Sequence, residues 1–214
     1  MIAAMLPLFV SAFVTLFVVL DPPGCVPIFS SLTSGASAAH RRTMALRSSA
    51  IASGVLLLFG VFGEGFLGAL GISLAAFRIA GGVMVFLIAI DMVFEKRTER
   101  RETRAEEVTK GRAVVEDDIS VFPMAIPMLA GPGSIAAVML LTARAHGLTE
   151  HLVVFGALAA VMVITLLALL AAGPLMRLMG DKIEAMMTRL LGVILAALAA
   201  QFVVDGLREA FHLA

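Results

Sequence analysis

Two short stretches hold the residues best able to do chemistry in this chain. LDPPGCVPIF occupies positions 20–29 and LAGPGS occupies 129–134. Each sets proline and glycine inside an apolar run, so each must interrupt a helix, because proline removes an amide donor and clashes with the preceding turn. In hydrocarbon the backbone groups freed in this way survive only if protein buries them or a watery cavity receives them. The half-helices restarting near Cys25 and Ser134 carry partial positive charge on their first amides, which suits an anionic group. On the other side, Asp21 and unwound carbonyls could hold an ammonium or a proton, since an intramembrane carboxylate marks a functional position by default. The candidate solute contacts are Asp21, Gly24, Cys25, Gly131, Gly133 and Ser134. Two plainer roles compete: a kink rescued by neighbouring helices, and, for Asp21 ahead of Pro22, a helix cap.

Other reactive side chains are sparse. The four histidines (His40, His146, His151 and His212) have no ligand-like spacing. Cys25 is the only cysteine, so no internal disulfide forms and a thiol metal site is not expected. Neither H-E-x-x-H nor G-x-x-x-x-G-K-[ST] occurs. Ser134 follows GPG, but a serine nucleophile needs a positioned base, and only His151 comes near a span, at its end. The expectation is a protein that is not an enzyme, without metal or cofactor. Of the charges inside apolar segments, Arg78 lies a turn or two within its span and is a possible coupling or structural charge. Asp91 and Asp205 fall near span ends, where charge is tolerated, and Gln201 suits a hydrogen bond between helices.

The elements that must position these residues are membrane helices. Hydrophobic residues make up 60% of the 214 and charged residues 15%, against roughly a quarter charged in soluble domains, and the mean hydropathy is +1.03. Six stretches approach the roughly 20 apolar residues a bilayer crossing requires: 4–33, 44–65, 73–94, 119–143, 150–172 and 183–206. The fold class expected is an all-α polytopic membrane protein with six transmembrane helices, the first and fourth broken. No basic n-region or small-residue cleavage site marks the first segment as a signal peptide, so it is expected to be retained. The chain reads as a single membrane domain, 1–214, with a three-helix unit at 1–94, a charged linker at 95–118 and a second three-helix unit at 119–214.

That linker, EKRTERRETRAEEVTKGRAVVEDD, holds seven basic and eight acidic residues, as a solvated segment does. Orientation follows lysine and arginine in the loops. The loops after spans one, three and five carry 13 of the 16 basic residues, leaving Arg78, Arg144 and Arg208 for the other side. Both termini are therefore expected outside and the linker in the cytoplasm. The net charge is zero, and nothing points to nucleic acid.

The two breaks also correspond. A shift of 109 lays LDPPGCVPIFSSLT (20–33) over LAGPGSIAAVMLLT (129–142), with Leu20/Leu129, Pro23/Pro132, Gly24/Gly133, Leu32/Leu141 and Thr33/Thr142 identical. A shift of 111 pairs Arg78 and Gly81 with Arg189 and Gly192. Two tandem units of three spans each must insert in opposite orientations, giving a 3+3 inverted-topology repeat. Matching Gly/Pro-interrupted spans are the best sequence pointer to the binding site of such a transporter.

These residues carry a family resemblance. LDPPGCVPIFSSLT (20–33), GISLAAFRIAGG (71–82), ISVFPMAIPMLAGPGSIA (119–136) and QFVVDGL (201–207) together resemble the MarC family of bacterial integral membrane proteins over essentially the whole chain. In the first motif, Pro23 and Cys25 stand where the family more often has isoleucine and asparagine. The resemblance implies six helices in the bacterial cytoplasmic (inner) membrane and transport of neutral amino acids, with alanine, glycine and serine as solutes. A more distant likeness to LysE-type amino-acid exporters fits the three-plus-three plan and raises export. The leading expectation is a secondary transporter for small neutral amino acids, in which Asp21 meets the solute ammonium or carries a coupled proton. The alternatives are an exporter of another small solute, or a non-transporting membrane assembly or regulatory partner that uses the linker as its contact surface. The partners expected are a small-molecule solute and the lipid bilayer, and an oligomer is compatible with the pattern.

Overall fold

A computed structural model describes residues 2–94 and 118–211. The linker expected at 95–118 therefore lies outside the described residues, except for Asp118. The described chain forms eight helical elements. These are α1 (Ile2–Leu20), α2 (Pro22–Leu32), α3 (Ala38–Ala69), α4 (Leu74–Val93), α5 (Ser120–Leu129), α6 (Pro132–Ala143), α7 (Gly147–Leu170) and α8 (Ala172–Ala210). Five continuous spans are long and apolar enough to cross a bilayer, and α5 with α6, bent by 54° at their junction, makes up to six.

Local sequence sets the ends. Ser37 and Ser73 take extended backbone and accept from the amides of His40 and Ala76, both at 3.2 Å, which starts α3 and α4. Helix α3 stops at Gly71, whose φ of +70° suits glycine alone. The Ile72 amide then bonds to Leu67 O at 2.9 Å and the Gly71 amide to Gly68 O at 3.0 Å, the paired pattern of a glycine C-cap. At the head of α7 the His146 amide donates to Glu150 Oε2 at 2.7 Å. Element α5 is wound wide: Met124 N bonds Ile119 O and Ala130 N bonds Ala125 O, five residues back in each case. Phe122 and Ile126, each ahead of a proline, take extended backbone, as the proline ring requires of its predecessor.

Helices α4 and α8 form the most extensive pair. A Cβ at Gly82 would lie 3.0 Å from Ala199 O and 2.8 Å from Val203 Cγ2, and one at Gly192 would lie 3.1 Å from both Ala89 O and Val93 Cγ2. A shift of 110 carries Gly82, Ala199 and Val203 onto Gly192, Ala89 and Val93, so each helix offers the other the same surface. Glycine at both positions lets the backbones meet, the usual way helices associate in lipid. Around this pair α1 and α2 pack on α7, α3 packs on α5 and α6, α2 meets α8, α4 meets α6, and α3 meets α7. Large apolar side chains including Phe62, Phe66, Leu87, Leu167 and Val193 are exposed, an apolar surface far beyond what a soluble monomer tolerates.

Two boundaries differ from those read in the sequence. The loop expected before span six is absent, because α8 restarts at Ala172 directly after α7. Gly173-Pro174 reads as loop chemistry, yet proline in a first turn sacrifices no helical hydrogen bond. Helix α3 begins earlier and ends later than 44–65, since Ser37 and Gly71 cap it beyond its apolar stretch.

Candidate functional site

Asp21 joins α1 to α2. Its φ and ψ of 55° and 63° are left-handed, the only positive φ among the described non-glycine residues. Aspartate tolerates that region better than most residues. Helical bonding runs through the junction, with Asp21 N on Phe17 O at 2.9 Å and Cys25 N on Asp21 O at 3.1 Å. Among the described residues Asp21 is also the only charged one that is buried, at 1% exposure. It sits about 24 Å of helix beyond Met5, the start of its span.

Every amide of the first turn of α2 is accounted for. Pro22 and Pro23 have none, Gly24 N donates to Asp21 Oδ1 at 3.1 Å, and Cys25 N bonds the Asp21 carbonyl. The sequence suggested open amides near Cys25; the Asp21 cap closes them. A Cβ at Gly24 would overlap the Asp21 carboxylate, so glycine is what allows the cap to seat. The Cys25 thiol, fully buried, lies 3.6 Å from Leu20 O.

The second break is built differently. Gly131 occupies the N-cap of α6 with extended backbone and offers no side-chain cap, and Pro132 follows. Ile135 N takes Gly131 O at 3.0 Å, while the amides of Gly133 and Ser134 find no acceptor among the described residues. Gly131, Gly133 and Ser134 are buried. A Cβ at Gly133 would overlap Ile88 Cδ1 of α4 and lie 3.7 Å from Val19 Cγ1 of α1, two residues before Asp21. The uncapped end of α6 thus packs against α4 and the last turn of α1. By the 109-residue shift, Asp21 of the first break corresponds to Ala130 of the second.

The other charges gather at the two ends. Where α3 begins, Arg47 pairs with Asp118 at 3.3 Å. Asp118 Oδ1 also accepts from the Ser120 amide at 2.9 Å and from its hydroxyl. The Ser120 hydroxyl, then its amide, hold the Asp118 carboxyl below its ordinary pKa, with partial burial opposing and Arg47 assisting. At the opposite end Arg78 pairs with Glu209, and Arg144 pairs with Asp205. Arg144 also lies 4.9 Å over the Phe202 ring. Burial lowers the Arg144 pKa and the Asp205 charge raises it in partial compensation. Arg78 therefore stands in an inter-helix ion pair, 15% exposed, and away from the breaks. Gln201 donates to Asp205 at 2.7 Å within α8, so its bond is not the inter-helix one expected. The Asp205 pair was invisible in sequence because Arg144 is 61 residues away.

Residues 6–211 match the family described as MarC family integral membrane protein. The chain belongs to the MarC family. A UPF0056 membrane protein of Methanocaldococcus jannaschii is 38% identical over 205 residues, covering 94% of this chain and 97% of the relative. The UPF0056 membrane protein YvbG of Bacillus subtilis is 35% identical, with 94% and 95% covered. The corresponding YhcE protein of Escherichia coli is 32% identical, with 96% and 94% covered. MarC-type relatives thus occur in an archaeon as well as in bacteria, and their names state a membrane protein without a substrate. No solved structure matches the chain.

Proposed function

We propose that the chain is a secondary transporter for small neutral amino acids, with alanine, glycine and serine as solutes, held between the two breaks. The observation that carries this reading is the unlike pair of helix starts, one headed by a buried carboxylate and one without a cap. Bare amides at Gly133 and Ser134 suit the solute carboxylate. The buried carboxylate of Asp21 suits the ammonium, or the proton of a coupled cycle. Gly24 and Cys25 complete the first wall, and Gly131 the second. Glycines let a small zwitterion approach the backbone closely.

A 3+3 inverted repeat underlies the reading. Exchanging the two halves preserves the larger helix contacts: α4 still meets α8, and the contacts of α2 with α8 become those of α6 with α4, while that of α1 with α8 has no comparable counterpart. At atomic range the seam exchanges Gly82 with Gly192, a shift of 110, which supports a related symmetry. It lies one residue away from the Gly81–Gly192 pairing read in the sequence, since Gly81 faces Leu140 and Ala136 instead. Transporters of this architecture place the site where the halves meet, at broken helices. The distribution of arginine and lysine supports a cytoplasmic-membrane protein with the linker inside and both termini outside.

Counterflow tests the proposal. Protein purified into liposomes preloaded with unlabelled alanine should accumulate labelled alanine, glycine and serine. Gly133→Leu, which drives a side chain into Ile88 and Val19, should abolish it. Wild-type protein that is folded and inserted yet shows no counterflow of any of the three overturns the amino-acid reading.

A further inference from the structure

One face of α2 leads away from the first break. Asp21, Cys25, Phe29 and Thr33 recur every fourth residue and so stack along one side of the helix, and all four are buried. Past Thr33 this row ends at a cavity of about 240 Å³. Phe29, Ser30 and Thr33 of α2 wall it, with Arg41 and Arg42 from the start of α3 and Leu169 from α7. The Thr33 hydroxyl donates to Phe29 O at 2.7 Å, which ties the floor of the cavity to the phenylalanine. No acidic residue lines the cavity among those described, whereas at the opposite end Arg78 and Arg144 each meet a carboxylate. Phe29, 1% exposed, lines the cavity and stands one turn from Cys25 along this face.

We infer that this cavity is the linker-side mouth of the solute route, that Arg41 and Arg42 there select a small carboxylate, and that Phe29 is the plug between the mouth and Cys25. The inference rests on the transporter reading and deepens it by naming the group recognised at the entrance. The exposed guanidinium forks of Arg41 and Arg42 and the Ser30 hydroxyl line one cavity and are groups that can donate to the oxygens of a carboxylate. The cavity holds the volume of about eight waters at roughly 30 Å³ each, enough for a small amino acid. At the other end Arg78 and Arg144 are already paired with Glu209 and Asp205, which leaves them less available to a solute carboxylate than Arg41 and Arg42. The phosphate of an anionic lipid shares the carboxylate's chemistry, and the test below separates the two.

Cys25 is the only cysteine, so the native chain already carries its probe. The protein is placed in phosphatidylcholine vesicles in known orientation, and the thiol is labelled with methanethiosulfonate reagents that do not cross membranes. One reagent is anionic (ethylsulfonate) and one cationic (ethyltrimethylammonium). Wild-type Cys25 should label slowly. Phe29→Ala should raise the rate about tenfold or more from the linker side alone, because thiol reactivity follows access, and Phe29→Leu should raise it less. In Phe29→Ala the anionic reagent should outpace the cationic one by about tenfold, as a cationic mouth concentrates anions. Adding Arg41→Gln and Arg42→Gln should cancel that preference, and alanine should slow the labelling.

Labelling of Phe29→Ala that is unchanged, or equal from both sides, in protein of wild-type helicity and elution volume overturns the plug. An anion preference that survives the double arginine replacement overturns the mouth. So does a preference removed by adding phosphatidylglycerol and untouched by alanine, which assigns the arginines to lipid phosphate. Counterflow of alanine without any side preference in labelling overturns this inference and leaves the transporter reading intact. The expected labelling pattern in protein that shows no alanine counterflow supports the mouth and directs the search to another small carboxylate.

Discussion

The Asp21 cap is best tested by a double-mutant cycle with Gly24. Asp21→Ala removes the acceptor of the Gly24 amide, and losing an aspartate N-cap costs about 1 kcal/mol. It also puts alanine at φ 55°, a left-handed conformation that costs roughly 1–2 kcal/mol without a short polar side chain. The expected loss is about 2–3 kcal/mol. Asp21→Asn keeps both the acceptor and the tolerance of left-handed backbone, and should stay within about 0.5 kcal/mol of wild type. Gly24→Ala sets a Cβ on the Asp21 carboxylate and must dislodge it, costing about 1–3 kcal/mol as overpacking does. With Asp21 already alanine, the obstacle is gone and the same change should cost nothing, since alanine favours a helix over glycine by about 1 kcal/mol. The two substitutions should therefore couple by roughly 1–3 kcal/mol, outside the scatter of independent sites. Equilibrium unfolding in mixed micelles of dodecyl maltoside and dodecyl sulfate measures all four corners. Additivity within about 0.5 kcal/mol, or an Asp21→Asn protein as unstable as Asp21→Ala, would refute the cap.

Three further expectations concern the ends and the central pair. The depressed Asp118 pKa means that the unfolded chain takes up this proton first as pH falls. The carboxylate's contribution is therefore full above about pH 4 and lost as pH drops through its folded value; Ser120→Ala should move the Asp118 titration, followed by carboxyl carbon NMR, upward. Asp205→Ala strips Arg144 of its counter-ion and Gln201 of its acceptor, and should cost about 2–4 kcal/mol as a part-buried pair. Glu209→Ala likewise strips its counter-ion from Arg78, 15% exposed, and should cost a similar amount, about 2–4 kcal/mol, in the same micelle assay. Gly82→Ala and Gly192→Ala press on backbone across the α4–α8 seam and should each lose roughly 1–3 kcal/mol. Gly54→Ala meets no atom within 4 Å and should be neutral or better; equal effects at all three sites would deny the close seam.

The helices were legible because lipid forces the backbone to satisfy itself within each segment, so uninterrupted apolar runs at 44–65, 73–94 and 150–172 could only be spans. Their ends were less legible. Gly173-Pro174 looks like a loop and is a helix start, and Ser37 and Gly71 extend α3 through polar flanks that hydropathy discards. Composition announced the 54° bend between α5 and α6, whereas the first span, expected to be broken, runs on past Asp21 with its helical bonding kept. Composition did not reveal that Asp21 would take a left-handed backbone and turn its carboxylate on Gly24, because that choice depends on two consecutive prolines removing the competing amides. The partners of Arg78 and Arg144 lie 131 and 61 residues away, and no local pattern records them.

The uncapped start of α6 follows from sterics, which makes it open to a test of its own. A helix start gains from aspartate or serine at the N-cap over glycine by only a few tenths of a kcal/mol. At Gly131 that gain is out of reach, because a Cβ there would overlap the carbonyl oxygen of Pro127, a backbone atom held in the wide turn of α5. Gly131→Asp should therefore destabilise the protein by about 1–3 kcal/mol, where an exposed helix start would be slightly stabilised. The prolines that wind α5 and the glycine that heads α6 act together: the first places an oxygen where a capping side chain would stand, and the second accepts having none. In the first break Asp21 fills the equivalent need. Two related helix starts thus differ in kind, one capped by its own aspartate and one with no cap among the described residues. If Gly131→Asp folds with wild-type stability, the oxygen of Pro127 does not hold the site open, and the bare amides of Gly133 and Ser134 lose their structural cause.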